Sequence, residues 1–370
     1  MLGGYSMKRE EVFNFSAGPS VLPTEVLEIA GKEILNFNGS GMSVMEMSHR
    51  SKVYMDIFAS VKAKLKAALS VPDTHEILFL QGGASLQFSM IPMNLFSELG
   101  KYKADYAVTG NFSTVAYKEA KKYGTINVAA SSEDKNHTYI PKQSDLKLDP
   151  EAEYFYYCEN NTIFGTEWKY IPETGKVPLV CDMSSNILSK PVDVSKYGII
   201  YAGAQKNMAP AGLTVVIIDK ALAGKEMACT PLMMSYKTMI ENDSMYNTPP
   251  CWNIYVLGLV LDWLAKQGGV SGMEKIKADK AALLYNYLDE SKLFKATAEK
   301  GSGSDMNITF RTGNDELDEA FVKGMAAKGF TNLKGHRKTG GMRASIYNAM
   351  PTEGVAKLVE YMKEFEAKNV

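Results

Sequence analysis

Two residues dominate the chemistry open to this chain. Lys206 stands in YAGAQKN just past the apolar run Ile199 to Ala202, and Asp182 follows the run Val177 to Cys181, 24 residues earlier. A lysine amine can condense with an aldehyde, and a carboxylate can keep a pyridine nitrogen protonated so that the ring accepts electrons. Those are the two groups that pyridoxal phosphate needs from a protein. The turn Gly82-Gly83 follows a third apolar run, Ile77 to Leu80, and Ala84 and Ser85 lead into a helical pattern. Backbone N–H groups at such a helix start can hold a phosphate. Phe112, beyond YAVTG, offers a face for stacking on the ring, and Thr162, past YFYYC, adds a hydroxyl.

Each residue alone has an ordinary explanation. Most lysines are solvated, Asp182 could cap a helix, Phe112 could be core, and GGAS lacks the full G-x-G-x-x-G spacing of a dinucleotide loop. The conjunction at successive strand ends carries the expectation, not any single member.

Those strand ends belong to a recognisable order of elements. A helix starts at Thr24 after Pro23, a second spans about Lys52 to Leu69, and strands are expected at Ile77 to Leu80, Tyr106 to Gly110, Tyr154 to Cys158, Val177 to Cys181, Ile199 to Ala202 and Leu213 to Asp219. Strands alternating with helices predict an α/β domain with a largely parallel sheet, and functional residues then belong at the strands' carboxyl ends. After Pro249-Pro250 the pattern changes to long helices, the segment MNITFRT, a helix near Leu317 to Lys328, the basic loop LKGHRKTGGMR and an amphipathic helix over about Glu353 to Lys368. The expected organisation is an N-terminal extension (1–12), a large α/β domain (13–259) and a smaller C-terminal α+β domain (260–370), with the N-terminal segment packing on the smaller one.

Composition narrows the class. The chain has 370 residues, ample for two domains or three at roughly 150 residues each. Lys plus Arg is 41 against 42 for Asp plus Glu, so no overall field steers the protein onto nucleic acid or an anionic membrane. The four cysteines form no C-x-x-C pair, and no leader or membrane span is evident, so a soluble cytoplasmic protein is expected. Met7 follows MLGGYS, and residues 1–6 read as a scar or an alternative start.

The blocks NFSAGPSVLP, NGSGMSVMEMSHRSK, QGGASLQF, YAGAQKNMAPAGLT, NTPP and GHRKTGGMRASIYNAMP run in order from about Phe13 to the final helix. In them the chain resembles the phosphoserine aminotransferase family, class V pyridoxal 5'-phosphate enzymes of fold type I. The resemblance implies a mostly parallel seven-stranded sheet in the large domain. It makes Lys206 the Schiff-base lysine, with Gln205 beside it, Asp182 on the pyridine nitrogen, Thr162 near the ring, and Ala84 and Ser85 on the phosphate. Asn247 and Thr248 match residues that reach the phosphate from the neighbouring subunit, which implies a homodimer with shared active sites. Arg343 matches the α-carboxylate arginine. His49-Arg50 and His336-Arg337 match the groups that hold the substrate phosphate or the side-chain carboxylate of glutamate, the first pair donated by the other subunit. Taken by themselves, Asn247-Thr248 is a turn and each His-Arg pair a solvated loop.

The implied reaction moves the amino group of L-glutamate to 3-phosphohydroxypyruvate, giving 2-oxoglutarate and O-phospho-L-serine for serine biosynthesis with ping-pong kinetics. A companion reaction converts 3-hydroxy-2-oxo-4-phosphobutanoate to 4-phosphohydroxy-L-threonine for vitamin B6. Two positions depart from many relatives: Phe112 replaces a tryptophan, and Ser85 stands where enteric members have an arginine. Three rivals fit less well. A dinucleotide oxidoreductase lacks its third glycine and acidic ribose partner, a non-catalytic scaffold would not keep both Lys206 and Asp182, and a cysteine desulfurase needs a late nucleophilic cysteine. Another class V enzyme acting on small acidic amino acids is the remaining alternative.

Overall fold

A computed structural model describes residues 7–97 and 100–370. Residues 1–6, the segment read as a scar or alternative start, lie outside the described residues. The first part of the chain forms β1 (Phe13–Asn14), α1 (Thr24–Glu33), α2 (Lys52–Ala68), β2 (His75–Leu80), α3 (Gly83–Leu95), β3 (Lys103–Val108), α4 (Asn111–Ala120) and β4 (Thr125–Ser131). It continues through β5 (Phe155–Cys158), the short strands β6 (Asn160–Asn161) and β7 (Thr166–Glu167), then β8 (Leu179–Asp182), β9 (Ile199–Gly203), β10 (Thr214–Asp219), α5 (Tyr236–Glu241) and α6 (Cys251–Lys266). The remainder is α7 (Gly269–Glu290), β11 (Lys295–Ala296), β12 (Asn307–Arg311), α8 (Asp315–Ala326), β13 (Phe330–Thr331), β14 (Met342–Ser345) and α9 (Thr352–Asn369).

Seven strands make the main sheet in the order β2-β10-β9-β8-β5-β3-β4. Only β10 runs against its neighbours β2 and β9; the other pairs are parallel. The apolar runs are near-continuous because both faces of the sheet are covered. Ile77, Phe79, Val215 and Ile217 enter one core, while Leu78, Leu80, Val216 and Ile218 enter the other. Because six of the seven strands run the same way, their carboxyl ends lie along one edge of the sheet and the loops that follow them collect there.

The strand bounds move in informative ways. β8 begins at Leu179 rather than Val177 because Pro178 has no N–H for the ladder. β4 had no apolar run to announce it: it is an edge strand whose Thr125, Asn127 and Val128 face water. α6 runs unbroken through residues 259–260, and its Ile254, Leu257 and Leu261 belong to the first core of the large sheet. A third core gathers Leu284, Phe310, Phe321, Ala344 and Leu358 around the antiparallel sheet β11-β12-β14. Phe15 lies in this core as well, because β1 pairs in parallel with β13.

A partly buried ionic chain ties the main sheet to α7. Lys190 reaches Glu159 at 3.0 Å and Glu167 at 3.3 Å, Lys169 reaches Glu167 at 3.2 Å and Asp305 at 2.9 Å, and Lys277 on α7 reaches Asp305 at 3.4 Å. Burial pushes the Glu167 carboxyl up in pKa, but the ammonium groups of Lys169, Lys190 and Lys277 outweigh it and hold it at about 2. A carboxylate held that low stabilises the fold above the ordinary glutamate range, and the contribution is lost as pH falls toward about 2.

Glu167→Gln removes the buried carboxylate shared by the half-buried Lys190 and the exposed Lys169, so it should cost about 1–3 kcal/mol, read as a lower urea midpoint at neutral pH. The gap to wild type should narrow as pH falls below the glutamate range. An unchanged midpoint at neutral pH would contradict the role given to this carboxylate.

Candidate active site

Lys206 lies three residues past the end of β9, on the connection to β10. That connection is held at its base by Ala204 N–H donating to the Leu213 carbonyl, and from outside by the N-terminal segment. Ser20 N–H donates to the Gln205 carbonyl, and the Ser20 hydroxyl donates to the carbonyl of Lys206 itself. Gly18 lies against the lysine stem: a Cβ there would stand 3.3 Å from Lys206 Cγ, and its φ of +140° is one that side chains disfavour. Only a glycine lets the chain pass this close.

The amine points inward. Lys206 Nζ donates to Thr162 Oγ1 at 2.7 Å and sits 5.5 Å from the centroid of the Phe112 ring. Desolvation lowers its pKa below the usual lysine range, Asp182 and Cys158 oppose that pull, and Arg343 adds to it. Asp182, the last residue of β8, is buried, and its Oδ1 accepts from Ser184 N–H at 2.8 Å. Its Oδ2 makes none of the hydrogen bonds among the described residues.

Thr162 owes its place to a small hairpin that the sequence did not announce. β6 and β7 pair antiparallel, and residues 162–165 turn between them. Asn160 Nδ2 donates to Ser185 and Asn307, both at 2.8 Å, and Glu167 anchors the far strand in the ionic chain. The Thr162 carbonyl in turn accepts from Arg343 Nη1 at 3.2 Å. Threonine thus joins the amine on one side to the guanidinium on the other.

Arg343 is in the middle of the four-residue strand β14, and its Nε is buried without a hydrogen-bond partner. Around it the charge is one-sided. His336 is pushed toward its neutral form by burial first, then by Arg343, Arg337 and Lys338. Lys338 extends from this basic loop to Asn111 Oδ1, next to Phe112. In the sequence it is one more cation of the basic loop, because nothing in its spacing says that the loop reaches the start of α4.

α3 begins at Gly83, so Ala84 and Ser85 lie inside its first turn rather than ahead of it. Gly82 and Gly83 have φ of +89° and +66°, which lets the chain reverse from β2 into a helix whose first amides have no partner within the helix. Gln81 Nε2 donates to the Thr248 carbonyl at 3.0 Å, and Asn247 lines a 220 Å³ cavity with Gln81 and Gly82. The NTPP block therefore stands beside the glycine turn of its own chain. His49 and Arg50 lie just before α2, and none of the hydrogen bonds or ion pairs among the described residues joins them to Lys206 or Arg343. His49 Nε2 is buried without a partner.

The donor set suits an aromatic aldehyde phosphate. A desolvated amine, a carboxylate with a free oxygen, an aromatic face and a glycine-led helix start all stand at the carboxyl edge of one sheet, and beside them the half-buried Arg343 guanidinium keeps one N–H without a partner.

The electrostatics give a direct test on the protein without cofactor. Because Asp182 raises the amine's pKa against desolvation, Asp182→Asn should shift the labelling midpoint of Lys206 to still lower pH. A midpoint that stays or rises would show that the two groups do not interact.

Comparison with known proteins agrees with this arrangement. A family model described as aminotransferase class-V matches residues 12–358. The phosphoserine aminotransferase of Bacillus cereus is 54% identical over 360 residues, covering 97% of this chain and 99% of its own. The solved phosphoserine aminotransferase from Bacillus circulans subsp. alkalophilus superposes with a TM-score of 0.95 at 45% identity, over 98% of this chain and 100% of the other. The pyridoxal-phosphate-bound phosphoserine aminotransferase from Trichomonas vaginalis gives 0.90 at 39% identity, over 95% and 99%. With the family match extending from β1 into the last helix and relatives this similar over nearly their whole length, the chain belongs to the class-V aminotransferases, enzymes that depend on pyridoxal phosphate.

Proposed function

We propose that the chain is a phosphoserine:2-oxoglutarate aminotransferase, moving the amino group of L-glutamate to 3-phosphohydroxypyruvate and so supplying O-phospho-L-serine for serine biosynthesis. The observation that carries this reading is the surplus of cations opposite Lys206. Arg343 has an unpaired buried donor, and His336, Arg337 and Lys338 stand within electrostatic reach of one another. A substrate with two anionic ends answers both parts. The reading extends to 3-hydroxy-2-oxo-4-phosphobutanoate, the vitamin B6 precursor, which carries the same α-carboxylate and terminal phosphate.

Pyridoxal phosphate supplies an aldehyde that carries the amino group and a ring that takes up the electrons left when the α-proton departs. The chain does the rest. Ala84 and Ser85, in the first turn of α3, present amides to the phosphate, with Gln205 beside Lys206 as a further contact. Asp182 would hold the ring nitrogen in its protonated form. Phe112 would cover one face of the ring and keep water from it. Lys206 is the amine that would hold the aldehyde and would also serve as general base for the α-proton, a role that a pKa lowered by desolvation favours. Arg343 grips the α-carboxylate through its fork of donors, and His336-Arg337 and Lys338 receive the distal phosphate or carboxylate.

The reading includes a cytoplasmic homodimer with shared active sites. Supporting it, apolar side chains stand in water around His49-Arg50: Leu35 is 82% exposed and Met45 55%, with Met42 and Met55 also exposed. A second copy that covers them would bring His49 and Arg50, and with them Asn247 and Thr248, toward a neighbouring site. The four cysteines, all free, suit a reducing compartment.

The deciding experiment is a coupled assay of phosphoserine with 2-oxoglutarate, run beside aspartate and alanine as donors; a preference for a donor without phosphate would sink the reading. Borohydride should fix the cofactor to Lys206, and peptide mapping to another lysine would refute its role. Lys206→Ala should lose at least about 100-fold in kcat with the fold intact. Arg343→Gln should raise KM for every amino and oxo acid by about tenfold or more, the scale of one lost charged hydrogen bond. Arg50→Ala should weaken phosphoserine more than donors without phosphate, and equal losses would count against it.

A further inference from the structure

Lys280, in the middle of α7, is 0% exposed and has no carboxylate partner among the described residues. Its Nζ donates instead to three backbone carbonyls, those of Tyr347 at 2.7 Å, Met350 at 3.1 Å and Asn348 at 3.4 Å. Burying an ammonium without a counter-charge is costly, and an apolar side chain of the same length would fill the space without that cost. Desolvation alone pulls the Lys280 pKa down to about 7.

The three carbonyls explain why a cation sits there. They belong to the irregular segment that follows β14, between Ile346 and the start of α9. Carbonyls turned inward from a segment with no ladder need donors, and an ammonium carries three N–H bonds for three acceptors. The far side of the same segment rests on the active site. Asn348 N–H donates to Asn207 Oδ1 at 3.1 Å, beside Lys206, and Asn348 Nδ2 donates to the Leu188 carbonyl at 2.9 Å. The Tyr347 hydroxyl donates to the Ala17 carbonyl at 2.7 Å, next to the Gly18 that packs on the Lys206 stem. Arg343 is four residues upstream of Tyr347, on the strand this segment terminates.

We propose that Lys280 is a positioning residue for Arg343. By holding the carbonyls of 347, 348 and 350 from behind, it fixes the segment that anchors the end of β14, and so the direction in which the guanidinium presents its fork. This rests on the carboxylate-binding role proposed for Arg343. Lys280 touches neither substrate nor cofactor; it acts through the backbone.

The test uses the holoenzyme with Lys280→Met, which keeps the length and removes the donors, and Lys280→Gln, which keeps an amide donor. Hydrogen exchange of the peptide over residues 344–350 should quicken by about tenfold in Lys280→Met, the scale of a lost charged hydrogen bond, with α9 unchanged. KM for both the amino and the oxo acid should rise by a similar factor while kcat changes far less, and Lys280→Gln should fall between. A folded Lys280→Met with unchanged exchange and KM, or with kcat lowered and KM unchanged, overturns the proposal. If Lys280→Met does not fold, Lys280→Gln decides by the same two measurements. Exchange needs no substrate, so quickened exchange in an enzyme inactive on phosphoserine would sink the functional reading alone.

Discussion

An amine held out of water is the constraint on which this molecule turns. The role proposed for Lys206 as nucleophile and base calls for its charged form to be made less favourable, and burial lowers its pKa in that sense. Burial alone would leave the amine indifferent to its surroundings. The Asp182 carboxylate and the Arg343 guanidinium act on it in opposite senses, and Thr162 gives it one defined hydrogen bond. The sheet, the hairpin and the N-terminal segment can each be understood as supports for that balance.

The supports are of different kinds. β8 and β9 deliver Asp182 and Lys206 to one edge through a core of buried strands, where apolar packing sets the position. Thr162 has no such core beneath it. Its hairpin is held by buried amides and by the chain of Lys190, Glu167, Lys169, Asp305 and Lys277, where opposite charges answer one another at hydrogen-bonding distance. Buried ion pairs add little net stability over apolar packing, but a broken one is costly. That asymmetry suits a hairpin that must keep one geometry while α7 and the main sheet meet around it.

Charge is distributed with the same economy. The chain as a whole is nearly neutral, yet His336, Arg337, Lys338 and Arg343 are brought close enough for each to affect the histidine. The proposed selectivity for a doubly anionic substrate would draw on this local surplus. With Ser85 in place of an arginine at the start of α3, the basic loop before β14 is the cationic feature opposite Lys206 in this chain, and Lys338 carries it across to Asn111 beside Phe112.

The amino-acid sequence determined the main-sheet strands around Leu78, Tyr156, Val180, Ile200 and Val216, because strands buried on both faces must be apolar throughout. It also determined that Asp182 and Lys206 would stand at the ends of such strands. It did not reveal β4, whose exposed edge lacks that signature, or the hairpin of β6 and β7, which is only two residues deep on each side and is held by polar contacts from residues more than a hundred positions away. Nor could it show that Gly18 would lie on Lys206, that Lys338 would reach Asn111, or that Lys280 would turn inward to three carbonyls. Those are encounters between distant segments. Local propensity and periodicity report only on near neighbours, so such meetings exist nowhere but in the folded chain.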